Sequence, residues 1–408
     1  MGNMLDYLDW RGDLKFSQDP FNDVDNILCA MLCYIGFSGL VSDKPVEETE
    51  LPEAAALYFD KYSGKELSLG AMIPASVFDM TRKMAVSPRF GQARLTAYRS
   101  EISEKEGLEN QLQWTALTLL FEDQSLYISF CGTDDTIVSW KEDLNLALMP
   151  EIPSQKAAAE YLNGVAAAYP EYKIRIGGHS KGGNLAVYAA AKCKDEYRDR
   201  IVCVYDNDGP GFDESFLSDD GYLSVKERIR DIVPEESFVG LLLCHDLPQT
   251  VVKSGNKGLL QHDCFSWFVE KNRFVQAEKI SNEALLAEQT VKRWLSGMSP
   301  EETSEFVDAL YRALTASNAR TLTELVGDKS SLLGAYRRLA PSDREVIRHS
   351  LRKLIAQKEI YNTVIPTVVG EKRAKNAENR EKKKKNYVTH LDGSKLYRPA
   401  SGKAKKKK

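Results

Sequence analysis

Hydrophobic and polar positions follow two different periods along the chain. Short apolar runs bounded by turn residues predict strands, and apolar residues spaced three and four apart predict helices. The predicted strands are 113–122, 126–131, 174–177, 201–205 and 228–233, and the predicted helices are 22–37, 155–168 and one that follows Ser180. Residues 41–66 are polar and predict a loop. Strands alternating with helices predict an α/β fold with a mostly parallel sheet covered on both faces.

From about residue 277 the pattern contains helices alone. The segments SPEE at 299–302 and SDRE at 342–345 are predicted capping boxes, and Pro300 takes the first helical position of the first one. We therefore predict three parts. They are an α/β domain over 1–276, a helical extension over 277–365 and a tail over 366–408.

Charge is distributed unevenly over the 408 residues, whose formal net charge is −4. Residues 371–408 hold 15 Lys and Arg against 4 Asp and Glu, which leaves 40 against 55 for residues 1–370. The tail has almost no apolar content, so we expect it to be disordered. Its lysines are suited to an anionic membrane surface or nucleic acid, and a solvated tail that aids solubility is the alternative.

Several classes of protein are disfavoured by composition. No apolar run approaches the roughly 18 to 20 residues of a membrane span, and the opening residues lack a signal-peptide pattern, so we expect a soluble, cytoplasmic protein. The seven cysteines are odd in number and lie mostly in apolar runs, as expected for reduced core thiols. No Cys/His cluster has zinc spacing, and we expect neither metal nor cofactor. The sequence leaves the oligomeric state open.

The stretch KIRIGGHSKGGNLAVYAAAKC, 173–193, contains the pattern G-x-S-x-G between a predicted strand and a predicted helix. In such a turn the serine hydroxyl is exposed, and the neighbours must be small because a Cβ would collide with the strand or helix. Gly178, Gly182 and Gly183 meet this need. We predict Ser180 as a nucleophile, with the Lys181 N–H at the helix N-terminus as an oxyanion donor.

A serine nucleophile needs a base, and the chain has five histidines. His179 adjoins the nucleophile and is expected to face away from it, while His349 lies in the extension and His390 in the tail. His245 and His262 remain, and we favour His262.

The acid that orients the base is expected between the serine and the histidine in the chain. Asp231 ends a predicted strand, 31 residues before His262, and is our first choice. Asp206, Asp208 and Asp220 are rivals. Asp208 is the runner-up because it follows a strand in the Gly/Pro-rich loop DNDGPGF.

The second oxyanion donor should follow an earlier strand. After the strand that ends at Cys131, Gly132 permits close backbone approach and Thr133 offers an N–H and a hydroxyl. Trp140 lies near Thr133 in the sequence, and Trp267 lies near His262. Each is expected either to line a pocket or to be a core residue.

Four motifs in chain order carry a family resemblance. SFCGTDDTIVSWKEDL, IGGHSKGGNLA, RDIVP and LLQHDCFSWF resemble the oxyanion strand, nucleophile elbow, acid loop and histidine loop of class 3, fungal-type triacylglycerol lipases. Residues 1 to about 275 also resemble a bacterial lipase-like family of unknown function. The resemblance implies an α/β-hydrolase fold and a serine esterase acting on a small acyl ester or lipid. It also implies that Ser180 is the nucleophile, Asp231 and His262 complete the triad, and Thr133 and Lys181 donate to the oxyanion.

Three departures from the lipase pattern stand out. Lys181 replaces the usual leucine, and it either pairs with an acidic neighbour or contacts an anionic part of the substrate. Cys131 replaces the usual arginine. The segment that matches the lipase lid contains Lys141, Glu142 and Asp143, so interfacial activation is not expected. The alternative to an enzyme is a catalytically inactive hydrolase fold used for binding.

Overall fold

A computed structural model of the chain describes residues 1–70, 73–104, 111–133, 142, 145, 146, 149, 151–315, 334 and 336–364. Helices and strands are numbered below in chain order among these residues. Trp140, His390 and the basic tail lie outside them, so the disorder and the membrane or nucleic-acid partners expected for the tail stay predictions.

An eight-stranded sheet lies at the centre, and its spatial strand order is the chain order. Strands β1 to β4 pair antiparallel, and β4 to β8 pair in parallel. The strands are β1 (Thr49–Glu50), β2 (Arg94–Glu104), β3 (Gln111–Leu120), β4 (Ser125–Phe130), β5 (Lys173–His179), β6 (Ile201–Asn207), β7 (Ile229–Pro234) and β8 (Gln249–Val252). Two short strands, β9 (Val269–Glu270) and β10 (Arg273–Phe274), pair with each other.

Helices cover both faces of the sheet. They are α1 (Met4–Arg11), α2 (Asp23–Leu32), α3 (Leu51–Lys61), α4 (Ser76–Val86), α5 (Pro153–Ala168), α6 (Lys181–Lys192), α7 (Asp195–Arg198), α8 (Glu214–Leu217), α9 (Asp220–Val225), α10 (Asn282–Ser296), α11 (Pro300–Thr315) and α12 (Pro341–Val364). The helices α5 and α6 pack in one apolar cluster on one face. The helices α1 and α2 pack on the other.

Side chains of β4 show how the core divides. Leu126, Ile128 and Phe130 pack in the apolar cluster that includes α5 and α6. Tyr127, which points to the opposite face, packs with α1 and α2. Successive side chains of a strand leave on opposite faces, and here both faces are buried. The predicted α/β sheet, covered on two sides, is confirmed.

The helix predicted from residue 22 begins as expected. Asn22 caps α2, accepting from the N–H groups of Val24 and Asp25, and the Asp25 side chain accepts from the Asn22 N–H. The two acidic residues of the first turn, Asp23 and Asp25, complement the helix dipole.

The prediction of a loop over 41–66 is wrong in its second half, because α3 forms there. Leu51, Ala54, Ala55 and Tyr58 are all buried, and their spacing puts them on one helical face. Pro52 lies in the first turn, where its missing N–H costs nothing. The exposed positions Ala56 and Leu57 are apolar as well, so the apolar run does not show the helical period.

The helices after residue 277 are α10, α11 and α12. Ser299 forms the predicted capping box, since its N–H donates to Glu302 Oε2 at 2.9 Å and the Glu302 N–H donates to Ser299 Oγ at 3.2 Å. The box predicted at Ser342 is wrong, because α12 already begins at Pro341.

The chain divides into two units, Met1–Lys353 and Leu354–Lys408. The domain boundaries predicted at 276/277 and 365/366 stay predictions. None of the helices in the described part of the chain is both long and apolar enough to cross a bilayer.

Candidate active site

Ser180 lies at the turn between β5 and α6 in a strained backbone conformation. Its φ is 59° and its ψ is −134°, a region that residues with a Cβ rarely adopt. The Ser180 N–H donates to the Asn207 carbonyl at 3.0 Å, and the Ser180 carbonyl accepts from the Gly183 N–H at 2.9 Å. These bonds hold the turn while the serine side chain stays only half-buried.

A network of buried side-chain amides is hydrogen-bonded to the strand that leads into this turn. Asn207 Nδ2 donates to the Gly178 carbonyl at 2.8 Å, and Asn26 Nδ2 donates to Asn207 Oδ1 at 2.7 Å. The Tyr127 hydroxyl donates to Asn26 Oδ1 at 2.7 Å. The network joins β5 and β6 to α2. Since buried polar groups are costly when unpaired, these bonds favour one arrangement of the elbow.

Glycines surround the serine because no side chain fits there. A Cβ on Gly178 would lie 2.3 Å from the Gly182 carbonyl carbon, and one on Gly182 would lie 2.1 Å from the Phe130 carbonyl oxygen. A Cβ on Gly183 would lie 2.1 Å from Asp206 Oδ1. The first two clashes are with backbone, which cannot rotate away.

Asp208 and His262 form the carboxylate–imidazole pair of the site. His262 Nδ1 lies 2.7 Å from Asp208 Oδ2. The other carboxylate oxygen, Oδ1, accepts from the Gly240 N–H at 3.1 Å and from the Ser237 hydroxyl. Asp208 is fully buried and has a positive φ of 54°. With Oδ1 held by two donors, Oδ2 is aimed at the imidazole.

The predicted pairing of Asp231 with His262 is wrong. Asp231 Oδ2 instead lies 3.3 Å from His245 Nδ1 and accepts from Gln249 Nε2 at 3.0 Å. Two aspartate–histidine pairs therefore occur among the described residues, and Asp208, the runner-up in the sequence, is the one that faces His262.

Strand register explains why Asp208, and not Asp231, faces His262. Asp231 on β7 pairs in register with Asp206 on β6, so it lies inside the sheet. Asp208 is two residues further along and has left the sheet at the carboxyl end of β6, where loops of such folds meet. A rule based on chain order cannot separate these positions. The usable signal was the Gly/Pro-rich loop that begins directly after β6.

Asp206 and His245, which both interact with Asp231, have shifted pKa values. Burial, reinforced by the charge of Asp231, raises the pKa of Asp206 well above its ordinary value. Burial alone would lower the pKa of His245, but its hydrogen bond to Asp231 and the charge of that carboxylate outweigh burial and raise it. Asp231 Oδ1 is buried with no hydrogen-bond partner among the described residues.

Three other candidates are not part of the elbow or of the Asp208–His262 pair. Asp220 is exposed and is the first residue of α9. His349 lies 3.7 Å from Glu302 in the helical extension. Trp267 is fully buried and donates to the Gln261 carbonyl at 2.8 Å, so it is a core residue.

The loop after β4 approaches the elbow closely. A Cβ on Gly132 would lie 2.5 Å from the His179 carbonyl oxygen and 3.1 Å from Ser180 Cβ. The Gly132 N–H donates to the Tyr34 hydroxyl at 3.0 Å. Thr133, the next residue, is half-buried. The expected oxyanion loop and the serine are therefore neighbours.

The Lys181 side chain is buried and forms an ion pair with Glu142. Its Nζ lies 2.9 Å from Glu142 Oε2, 3.1 Å from the Gln113 carbonyl oxygen and 3.0 Å from Gln113 Oε1. Both charged side chains are almost fully buried, at 1% and 0% exposure. Glu142 also accepts from the Gln113 and Ser154 N–H groups, each at 3.2 Å. Of the two interpretations offered by the sequence, the acidic neighbour is the one observed.

The sheet and the strained serine at its strand-to-helix turn define the chain as an α/β-hydrolase fold, as predicted. The model of the Mbeg1-like family matches residues 84–312, more than half of the chain. The chain therefore belongs to the Mbeg1-like family, which is lipase-like.

Solved lipase structures show a distant likeness. The M37 lipase is 13% identical with a TM-score of 0.33, and the match covers 54% of this chain and 70% of that one. A Rhizomucor miehei lipase–propeptide complex is 16% identical with a TM-score of 0.31, covering 43% and 58%. The Lip2 lipase from Yarrowia lipolytica is 10% identical with a TM-score of 0.31, covering 57% and 99%. At these values the likeness says nothing about substrate. No curated protein sequence matches the chain.

Proposed function

We propose that this chain is a serine hydrolase that cleaves carboxylic esters through an acyl-enzyme. The observation that carries the proposal is the strained Ser180 turn with the Asp208–His262 pair beside it. A serine hydroxyl is a weak nucleophile until a base removes its proton. Ser180 is held in a backbone conformation that residues with a Cβ rarely adopt, and such strain clusters at functional sites.

In the proposed mechanism His262 is the general base and Asp208 orients it. The Nδ1–H of His262 donates to Asp208, which leaves Nε2 to take the proton from Ser180 Oγ. Within the described residues Ser180 Oγ makes no hydrogen bond. This contact forms on substrate binding in the mechanism, as catalytic hydrogen bonds often tighten there.

The serine oxygen attacks the ester carbonyl and forms a tetrahedral oxyanion. The Lys181 N–H, at the first position of α6, and Thr133 after Gly132 are the proposed donors to this oxygen. His262 then returns its proton to the alcohol that leaves. Water, deprotonated by His262, attacks the acyl-enzyme, and Ser180 recovers its proton as the acid departs. No cofactor takes part in these steps.

The substrate class is an acyl ester, either a small ester or a lipid. The buried Lys181–Glu142 pair supports a substrate without a required anionic group at this position, because the lysine charge is already compensated. We propose no interfacial activation. Glu142 belongs to the segment that matches the lipase lid, and it is hydrogen-bonded to β3 and to the first turn of α5.

Labelling with a fluorophosphonate probe tests the proposal. Wild-type protein should react at Ser180, with the modified peptide identified by mass spectrometry, and should hydrolyse p-nitrophenyl esters of some chain length. Ser180→Ala should show neither reaction. Ser63→Ala, at an exposed serine, should behave as wild type.

Two results would contradict catalysis. Folded wild-type protein that reacts with neither probe nor ester would favour a binding protein with an inactive hydrolase fold. Equal labelling of the Ser180→Ala variant would show that another nucleophile is being modified.

A further inference from the structure

His179, the residue before the nucleophile, contacts the general base and not the nucleophile. It is the last residue of β5 and is buried at 6% exposure. Its side chain contacts the loop that carries His262.

The His179 ring holds this loop through its backbone. His179 Nε2 lies 2.8 Å from the His262 carbonyl oxygen. A carbonyl only accepts, so Nε2 carries the hydrogen and donates it. The two imidazole rings lie with their centroids 4.5 Å apart and an interplanar angle of 35°. A single side chain thus fixes both the main chain and the ring of the base.

A second donor binds the preceding carbonyl of the same loop. Trp267 Nε1 donates to the Gln261 carbonyl at 2.8 Å, and the indole lies edge-on to the His179 ring at 6.4 Å. The carbonyls of Gln261 and His262, which are consecutive in the chain, are therefore each held by a buried side-chain donor. In the same short helix, Gly258–His262, Leu259 and Leu260 are 67% and 70% exposed, so burial of these two side chains contributes little to holding it.

The neutral state of His179 is compatible with this position. Burial, with a further contribution from the charge of His262, lowers the pKa of His179 to about 3, and the charge of Asp208 opposes this shift only in part. At neutral pH His179 donates a hydrogen bond without carrying a charge. It therefore adds no repulsion when the neighbouring His262 becomes an imidazolium. A lysine or arginine would donate but would oppose that charge.

We propose that His179 is a positioning residue of the hydrolase, a neutral donor that fixes the backbone and ring of His262 so that its Nε2 faces the serine hydroxyl. The inference rests on the proposed function, since it assigns His179 to the base of that mechanism. It acts through His262 and does not touch the reacting atoms.

Two substitutions of His179 test its hydrogen bond to the His262 carbonyl and its ring contact separately. His179→Phe keeps a flat ring beside His262 and removes the donor. His179→Gln places an amide N–H near the position of Nε2 and removes the ring. In ester hydrolysis we expect His179→Phe to lower kcat roughly 10- to 100-fold with little change in KM, because small displacements of catalytic groups cost this much. His179→Gln should recover part of that loss, and the pH midpoint of kcat/KM should shift in the Phe variant.

Unchanged kcat and an unchanged pH midpoint in folded His179→Phe would overturn the inference, because a purely structural residue lowers the melting temperature alone. If His179→Phe does not fold, the test passes to His179→Gln and to NMR of the wild type. The ¹⁵N spectrum should show His179 as the Nε2–H tautomer from pH 8 to pH 5. A charged His179, or the Nδ1–H tautomer, at pH 6 would also overturn it. Failure of the proposed function is seen separately, as a wild type that the probe does not label.

Discussion

Asp208 Oδ2 accepts a hydrogen bond from His262 Nδ1 across 2.7 Å, although 54 residues separate the two along the chain. The carboxylate is fully buried, and the imidazole keeps 20% of its side chain exposed. One nitrogen of His262 is thus fixed inside the protein. In the proposed mechanism the other nitrogen takes the proton from Ser180.

The two aspartate–histidine pairs should differ in their importance for activity. We expect Asp208→Asn to lower kcat for ester hydrolysis by on the order of 10⁴-fold, because an amide can favour the wrong tautomer of His262. Asp231→Asn should lower it far less, since Asp231 faces His245. Steady-state kinetics on both variants, with folding checked by circular dichroism, gives the comparison. A greater loss in Asp231→Asn would favour Asp231, the first choice from the sequence, as the acid.

The buried Lys181–Glu142 pair should make a large contribution to stability when only one partner is removed. Lys181→Met leaves a buried carboxylate uncompensated, so the free energy of unfolding should fall by about 3–5 kcal/mol. Combining it with Glu142→Gln should recover part of the loss. Urea unfolding measures both variants.

The exposed pair Arg82–Asp79, at 50% and 66% exposure, is the matched control for this measurement. Arg82→Ala should cost less than about 1 kcal/mol. Equal losses from Lys181→Met and Arg82→Ala would show that burial of the first pair has no energetic consequence.

Two glycines should respond to alanine with opposite signs. Gly182→Ala places a Cβ 2.1 Å from the Phe130 carbonyl oxygen, so the turn must open and both stability and probe labelling should fall. Gly164 is exposed inside α5, and a Cβ there meets no atom within 4 Å. Gly164→Ala should raise the free energy of unfolding by about 0.5–1 kcal/mol. Thermal unfolding of both variants is the measurement, and an unaffected Gly182→Ala would contradict the packing of the elbow.

Acid should destabilise the wild type through His179. Its pKa is lowered from the ordinary 6.5 to about 3 in the folded protein, so between these values the unfolded chain binds a proton that the folded chain does not. The free energy of unfolding therefore falls as pH falls from about 6.5, by at most about 1.4 kcal/mol per pH unit. The His179→Gln variant lacks this group. The difference in stability, wild type minus variant, should decrease between pH 7.5 and pH 5 in urea titrations, and parallel profiles would contradict a buried neutral histidine.

His245 should show the opposite sign. Its folded pKa is raised above the ordinary value despite burial, through the hydrogen bond and charge of Asp231. Its stabilising contribution is complete below the unfolded pKa and is lost as pH rises through the folded pKa. His245→Asn should therefore cost more stability at pH 5.5 than at pH 9. A larger cost at pH 9, again from urea unfolding, would rule out this charged pair.

Local features of the amino-acid order were sufficient for much of this molecule. The start of α2, the β3–β4 hairpin and the glycines around Ser180 depend on residues that are close in the chain, so their patterns predict them directly. The helix α3 was missed for a related reason. Its exposed face also carries apolar residues, Ala56 and Leu57, so the pattern of apolar positions does not separate the two faces, and burial against its neighbours stabilises the helix.

The partners of four side chains depend on how distant parts of the chain pack together. Asp208 and Asp231 both lie near the ends of neighbouring strands, and the register of β6 on β7 decides which of them leaves the sheet beside His262. Lys181 pairs with Glu142, and the His179 ring donates to the His262 carbonyl. In each case the partner is distant in the chain. Such contacts depend on strand register and loop course, which are properties of the assembled fold, and no short segment of sequence encodes them.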